Sequence, residues 1–152
     1  MMPQKMSRRV VTDRLEWVDK MLVELRSLPL DSREKFFADK RNTWTAESCL
    51  RRALEALLDL GRHILAKGFA TGVSEYKEIA QGLSEHGILS PDDAGLLRTL
   101  AGYRNRMVHF YHEVSAEELY ETCSTQLGDV EHLVNALKTW LAGHTELLDD
   151  TL

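Results

Sequence analysis

The sequence lacks long apolar runs and is poor in cysteine. No apolar run approaches the length of a membrane span, and the basic N-terminal residues are not followed by the apolar core of a secretory signal. The two cysteines, Cys49 and Cys123, are far apart and form no CxxC pair. We therefore expect no membrane span, no secretory leader, and a cytoplasmic protein in which both thiols pack as small apolar side chains.

Metal-ligand patterns are missing as well. None of the six histidines is paired with another at ligand spacing on a predicted helix, so we expect no zinc site, and no other metal or cofactor is predicted. The sequence also lacks repeats and low-complexity segments. With 43% hydrophobic and 28% charged residues, the composition is that of a folded protein, and 152 residues suit one domain with a single core.

The net charge of −5 hides an uneven distribution. Residues 113–152 carry nine acids and one base, whereas residues 1–112 carry eighteen bases and fifteen acids. An acidic C-terminal part is thus joined to a mildly basic body. The overall charge is therefore a poor guide to any local site, and it does not exclude a nucleic-acid partner.

Apolar residues recur at three- and four-residue steps throughout, which predicts an all-α protein without strands. We expect a single domain over residues 1–152, built as an antiparallel up-and-down bundle of four to five main helices, with a loose tail after about residue 143. The predicted helices cover about residues 7–28, 32–39, 43–67, 74–87, 91–109 and 116–141, and the third of them begins at Thr43 or Thr45.

Two helix starts are especially clear. Ser90 is followed by a proline and two aspartates, and Ser115 begins a capping box with Glu118. The segment between them, YRNRMVHFYHEV at residues 103–114, is therefore the end of one helix and the turn to the next. Carbonyl groups at such an end favour cations, so arginine and histidine here have a purely structural explanation.

Helical spacing adds a second explanation. Arg104 falls in line with Tyr111 and with apolar residues of the same helix, and a charge on such a stripe is costly unless it is paired or faces a cleft or interface. Asn105 and His109 share the neighbouring face, and fraying at His109 would let its imidazole swing toward Arg104. Arginine binds phosphate oxygens, histidine transfers protons near neutral pH, and RNA supplies its own 2′-hydroxyl nucleophile, so this set suits cleavage of a phosphodiester without metal.

Arg104 to Tyr111 reads as R-x4-H-x-Y, with asparagine directly after the arginine. This motif, at the end of the penultimate predicted helix, resembles the HepT-like toxins of the all-helical HEPN superfamily. The preceding segments LRRALEALLDLGRHILA and SEYKEIAQGLSEHGIL are similar too. The resemblance spans roughly Asp13 to Leu141 and is sharpest from Ser74 to Tyr111.

The resemblance implies a metal-independent endoribonuclease that forms a homodimer, with both copies of the motif lining one cleft. Arg104 would hold the scissile phosphate, His109 would act as general acid or base, and Asn105 would position one of these groups. The expected products are a 2′,3′-cyclic phosphate and a 5′-hydroxyl. Tyr111 would receive AMP from a cognate nucleotidyltransferase antitoxin, and the added charge would block RNA.

Other interpretations remain open. Arg98, Arg106 and His112 are candidates for further RNA contacts, whereas Tyr111 can also be a packed core tyrosine. Structural roles are favoured for Arg62 and His63, and Trp17, Trp44 and Trp140 are expected in the core or at dimer contacts. Two further functions fit the motif: a non-catalytic helical module that binds nucleotide or RNA, and the substrate-binding partner of a nucleotidyltransferase.

Overall fold

The computed structural model describes residues 5–109 and 114–151, and these form an all-α bundle, as predicted. None of the described helices is long and apolar enough to cross a membrane. The helices are α1 (Arg8–Arg26), α2 (Arg33–Ala38), α3 (Lys40–His63), α4 (Tyr76–Glu85), α5 (Pro91–His109), α6 (Ala116–Thr125) and α7 (Leu127–Ala142). A π-helical turn (Ile64–Gly68) extends α3, and a 3-10 turn (Thr145–Leu147) follows α7.

Helix α3 lies at the centre of the bundle. It packs along α1 and also contacts α2, α4, α5 and α6. Its sequence explains this position, because buried apolar residues recur along it from Ala46 to Leu60 and continue into the π-helical turn. Its apolar stripe is completely or almost completely buried and includes Leu50, Leu54, Leu57 and Ile64.

The two helix starts around the motif are confirmed. The backbone N–H of Asp93 donates to Ser90 Oγ over 3.1 Å, and the backbone N–H of Glu118 donates to Ser115 Oγ over 3.1 Å. Each serine therefore satisfies a backbone donor that the first turn leaves unpaired. These caps define where α5 and α6 begin.

Three predicted helix boundaries were wrong. Helix α3 begins at Lys40, not at Thr43 or Thr45, because the carboxylate of Asp39 caps it by accepting from the backbone N–H of Arg41 at 2.9 Å. Helix α4 begins at Tyr76, not at Ser74. The predicted last helix is divided into α6 and α7 at Gln126.

The break at Gln126 has a local cause. Ser124 Oγ donates to the carbonyl of Tyr120 at 2.7 Å, and Thr125 Oγ1 donates to the carbonyl of Glu121 at 2.6 Å. Such bonds back to the preceding turn compete with helical hydrogen bonding and bend helices. The apolar stripe continues across the break, and for this reason the pattern predicted one helix.

The prediction of a strand-free chain with a loose tail was also wrong. Met6–Ser7 (β1) pairs in parallel with Leu148–Asp149 (β2), so the tail after residue 143 is structured through the 3-10 turn and β2. Met6 is fully buried there. The backbone N–H of Ser7 also donates to His63 Nε2 at 3.0 Å, which ties β1 to the end of α3.

The cysteines differ in environment. Cys123 is 2% exposed, and burial raises the pKa of its thiol to about 12, so it packs as a small apolar side chain as predicted. Cys49 is half-buried, and burial raises the pKa of its thiol too. Both thiols therefore stay protonated near neutral pH.

His63 should make stability depend on pH. Burial, followed by the charges of Lys67 and Arg14, lowers its pKa below the ordinary value of 6.5, and the neutral ring accepts the Ser7 hydrogen bond. The unfolded chain therefore binds this proton at a higher pH than the folded chain does. The His63 contribution is complete above about pH 6.5 and decreases as the pH falls through and below that value.

Urea unfolding of wild type and His63→Gln between about pH 7.5 and about pH 5 tests this, since the glutamine amide can accept the same bond without titrating. We expect the free energy of unfolding to fall more for wild type than for the variant. Equal losses in the two proteins over this range would contradict the prediction.

Helices α3 and α4 approach closely at Gly61. A Cβ atom there would lie 2.8 Å from Ile79 Cγ2, whereas a Cβ at the exposed helical Gly95 would meet nothing within 4 Å. We expect Gly61→Ala to lower the free energy of unfolding by about 1–3 kcal/mol through overpacking. Gly95→Ala is the matched control and should raise it by about 0.5–1 kcal/mol through helix propensity. Denaturant unfolding measures the free energy of unfolding of both variants. Equal effects would show that the close approach of the two helices does not exclude a side chain at Gly61.

Candidate functional site

A surface pocket of about 570 Å³ lies where the end of α5, the start of α4 and the end of α3 meet. It brings together the predicted residues Arg104, Asn105 and His109 from α5. The remaining lining comes from α3 and from the segment that leads into α4. Those further residues are Arg62, Ser74, Glu75, Tyr76 and Lys77.

Arg104 is held in this pocket by contacts from three helices. Its side chain is 17% exposed, and its Nε lies 3.5 Å from Glu55 Oε1, an ion-pair distance without hydrogen-bond geometry. Its Nη1 donates to Asn105 Oδ1 at 3.3 Å, and its guanidinium carbon lies 4.7 Å from the centroid of the Tyr76 ring. The charge on the apolar stripe is thus paired within this chain, which is one of the alternatives that the sequence left open.

Tyr76 connects Arg104 to a second arginine. The guanidinium carbon of Arg62 lies 4.9 Å from the same ring centroid. The Tyr76 hydroxyl donates to Asp59 Oδ1 at 3.1 Å. Burial, and then the nearby Asp59 carboxylate, raise the pKa of Tyr76, so the phenol remains a neutral donor.

His109 is the exposed final residue of α5 and still follows the helical path. Asn105 lies four residues earlier, on the same face, and both line the pocket with Arg104. The imidazole therefore reaches the pocket without the fraying that the sequence suggested. An amide, a cation and an imidazole thus converge on one open space.

Two other predicted RNA contacts lie elsewhere. Arg98 lines a different pocket, between α4 and α5. Arg106 Nη2 donates to Glu118 Oε1 at 2.9 Å, and its guanidinium carbon lies 5.8 Å from the Tyr103 ring. Neither arginine lines the motif pocket, and their role as RNA contacts stays a prediction. Tyr111 and His112 lie outside the described residues.

The tryptophans are less buried than a core position requires. Trp44 is 67% exposed and Trp17 is 37% exposed, so the expected core position was wrong for these two, and their contact with another copy stays a prediction. Trp140 is half-buried and its ring stacks on His144 with centroids 4.2 Å apart. Phe37 is 36% exposed, although its ring contacts Phe36 and Tyr120.

Sequence reasoning missed Arg62 and Tyr76 as parts of the site. Arg62 was assigned a structural role, and Tyr76 was not among the predicted site residues. Only the turn and loop at residues 64–75, which bring the start of α4 to the end of α3, put them beside Arg104. The sequence holds no spacing that relates either residue to the motif.

Charged side chains near the motif pocket fall into two groups. Its lining contains three cations, Arg62, Lys77 and Arg104, and one carboxylate, Glu75. The carboxylates of Glu55 and Asp59 line a neighbouring pocket of about 330 Å³ between α1 and α3. Neither of these carboxylates lines the motif pocket, which has more cations than anions in its lining and is therefore suited to an anion.

A metal site is not formed by the described side chains. Among residues 5–109 and 114–151, no group of three or more histidine, cysteine, aspartate or glutamate side chains comes together in a way that could hold a metal ion.

Known proteins were compared with this chain. A family model described as ribonuclease HepT-like matches residues 18–137. A tRNA nuclease HepT from Aphanizomenon flos-aquae (strain 2012/KM1/D3) is 25% identical over 133 residues, which cover 87% of this chain and 90% of the relative.

Solved structures share the fold. A tri-AMPylated HEPN toxin from Shewanella oneidensis, in complex with an MNT antitoxin, is 18% identical with a TM-score of 0.76, over 86% of this chain and 97% of that one. The cytosolic protein YutE from Bacillus subtilis, of unknown function, is 17% identical with a TM-score of 0.76, over 95% of each chain. The all-α bundle is thus HEPN-like, and because the family model spans most of the sequence, the chain belongs to the HepT-like ribonuclease family, as its motif indicated.

Proposed function

We propose that this protein is the toxin of a toxin–antitoxin pair and cleaves RNA as a metal-independent endoribonuclease. The observation that carries the proposal is the pocket lined by Arg104, Asn105 and His109, which combines an anion-binding group, a positioning amide and a proton-transfer group. Membership in a family of ribonucleases, and a relative named as a tRNA nuclease, support the same chemistry.

The reaction needs only RNA and the residues of this motif. The 2′-oxygen attacks the adjacent phosphorus, the bond from phosphorus to the 5′-oxygen breaks, and a 2′,3′-cyclic phosphate and a 5′-hydroxyl result. One proton leaves the 2′-hydroxyl and one reaches the 5′-oxygen. His109 carries one of these transfers, and in a homodimer the second copy of His109 carries the other.

Arg104 stabilises the charge that develops on the phosphate during this reaction. A guanidinium offers paired donors to phosphate oxygens and remains charged at cellular pH. Its orientation is set before RNA arrives, by Asn105, Glu55 and the Tyr76 ring. Such preorganisation is usually the largest electrostatic contribution to catalysis. Asn105 therefore acts mainly by positioning Arg104.

Control of the toxin is proposed to occur at Tyr111, two residues beyond His109. A cognate nucleotidyltransferase antitoxin would transfer AMP to the phenol, which places bulk and negative charge beside the pocket cations and excludes RNA. The support is the structural relative from Shewanella oneidensis, an AMPylated HEPN toxin bound to its antitoxin. The cytoplasmic location also stays a prediction.

Cleavage of RNA in the presence of EDTA tests the nuclease. We expect His109→Ala to reduce the rate by about 10²–10⁴-fold, because proton transfer is lost. Arg104→Ala should reduce it by at least about 10²-fold, because the developing charge is no longer stabilised. His132→Ala, at an exposed histidine on α7, is the matched control and should cleave like wild type.

Two outcomes would contradict this. Equal cleavage by wild type and His109→Ala would exclude the proposed role of the imidazole. RNA binding by wild type without cleavage under any condition would favour the non-catalytic binding module instead.

Mass spectrometry after co-expression with the cognate nucleotidyltransferase tests the control step. We expect AMP on the peptide that contains Tyr111, and none on that peptide in Tyr111→Phe, which should remain toxic in the presence of the antitoxin. Tyr103→Phe, a matched change at a tyrosine of α5, should still be modified at Tyr111. An unmodified Tyr111 in the co-expressed wild type would rule out this mode of control.

A further inference from the structure

Two arginines contact one aromatic ring at the motif pocket. The guanidinium carbons of Arg62 and Arg104 lie 4.9 Å and 4.7 Å from the centroid of Tyr76, so they are less than about 10 Å apart. Arg62 comes from α3, Tyr76 from α4 and Arg104 from α5. The ring thus sets the spacing of two cations that arrive on different helices.

Arg62 is fixed in place but keeps donors available. Its Nη2 donates to the carbonyl of Ser74 at 3.2 Å, and its Nη1 lies 3.5 Å from Asp59 Oδ1. A guanidinium has five N–H groups, so these two contacts orient it and leave other N–H donors unused. The side chain is 39% exposed and lines the same pocket as Arg104.

Tyr76 is itself held by a hydrogen bond. Its hydroxyl donates to Asp59, the carboxylate that also contacts Arg62. Asp59 and Glu55 belong to the neighbouring pocket, so the acids that orient the two arginines do not line the space between them. The face toward the motif pocket instead adds Lys77 as a third cation.

We propose that Arg62 forms a second phosphate-binding position beside the one at Arg104, so that the pocket takes two consecutive phosphates of a single RNA strand. Tyr76 is the positioning residue that holds both guanidinium groups at the required spacing. The identity of the ligand as RNA rests on the proposed function, whereas the presence of a second phosphate position does not depend on cleavage.

The chemistry recognised is a pair of nearby phosphates, which an RNA strand and a nucleoside triphosphate both contain. The strand is favoured because the two arginines lie on separate helices and line an open surface pocket, and because the cleavage motif shares that pocket. ATP is therefore a competing ligand that the experiment must distinguish.

Binding of 2′-O-methyl oligonucleotides tests this, because they lack the nucleophile and cannot be cleaved. Fluorescence anisotropy would measure the affinity of the full chain for a dinucleotide with one phosphate and a trinucleotide with two, at several salt concentrations. We expect Arg62→Gln to weaken trinucleotide binding about tenfold and to reduce its salt slope by about 0.7, the value for one phosphate contact on a single strand. Dinucleotide affinity should not change.

Four further variants separate a binding role from a structural one. Arg104→Gln should weaken both oligonucleotides. Arg52→Gln removes an equal charge from the same helix, but at the neighbouring pocket, and should change neither affinity. Tyr76→Leu should weaken trinucleotide binding as Arg62→Gln does, whereas Tyr76→Phe, which keeps the ring, should restore it. Thermal unfolding of each variant verifies that it is folded.

Several results would overturn the proposal. The first is an unchanged trinucleotide affinity in Arg62→Gln, and the second is an equal loss of affinity for both oligonucleotides. The third is a loss of affinity for ATP alone, which would show that Arg62 binds a nucleoside triphosphate and not an RNA strand. A wild type that never cleaves RNA but shows the Arg62-dependent difference refutes the nuclease and leaves the second phosphate position intact. His109-dependent cleavage with unaltered binding in Arg62→Gln refutes only the second position.

Discussion

The half-buried positive charge of Arg104 is the constraint on which the site depends. A guanidinium with so little access to water must find its partners in the protein. Those partners come from different helices, with Glu55 on α3, Tyr76 on α4 and Asn105 on α5 itself. The three helices are therefore coupled at one point, because a shift of any of them would leave the charge less well compensated.

The acidic character of the chain is compatible with an anion-binding pocket because acids of the C-terminal part pair with cations outside the pocket. In the C-terminal part, Glu117 pairs with Arg33, Glu118 with Arg106 and Glu131 with Arg26. All residues that line the motif pocket belong to residues 62–109 of the described chain. The acidic helices α6 and α7 thus bind cations of α1, α2 and α5 and do not contribute to the pocket. The net charge of −5 reports on the whole chain and not on this surface.

Local signals made much of the fold predictable. The caps at Ser90 and Ser115 depend on residues three positions apart, so the sequence reveals them directly. The pairing of β1 with β2 joins two-residue strands from opposite ends of the chain, and two residues have no period that a pattern can show. The break at Gln126 depends on hydroxyl groups that turn back on their own helix, which an apolar stripe does not record.

The residues of the candidate site also fall into two groups, those that a local sequence pattern predicts and those that only the structure brings together. Arg104, Asn105 and His109 are close in sequence and share a motif, so they were found. Arg62 and Tyr76 join them only through the packing of α3 against α4. A role can be assigned to residues that meet only by tertiary contact once the structure is known, because no spacing in the sequence relates them.

The close approach at Gly61 has a consequence for how variants of this protein should be interpreted. Gly61 directly precedes Arg62, and the Ile79 side chain that leaves no room for a Cβ there lies one turn after Tyr76 on α4. The missing side chain therefore lets α3 and α4 approach closely beside the arginine and the ring. A loss of function after substitution of Gly61 would reflect a changed spacing of two helices and not a missing chemical group.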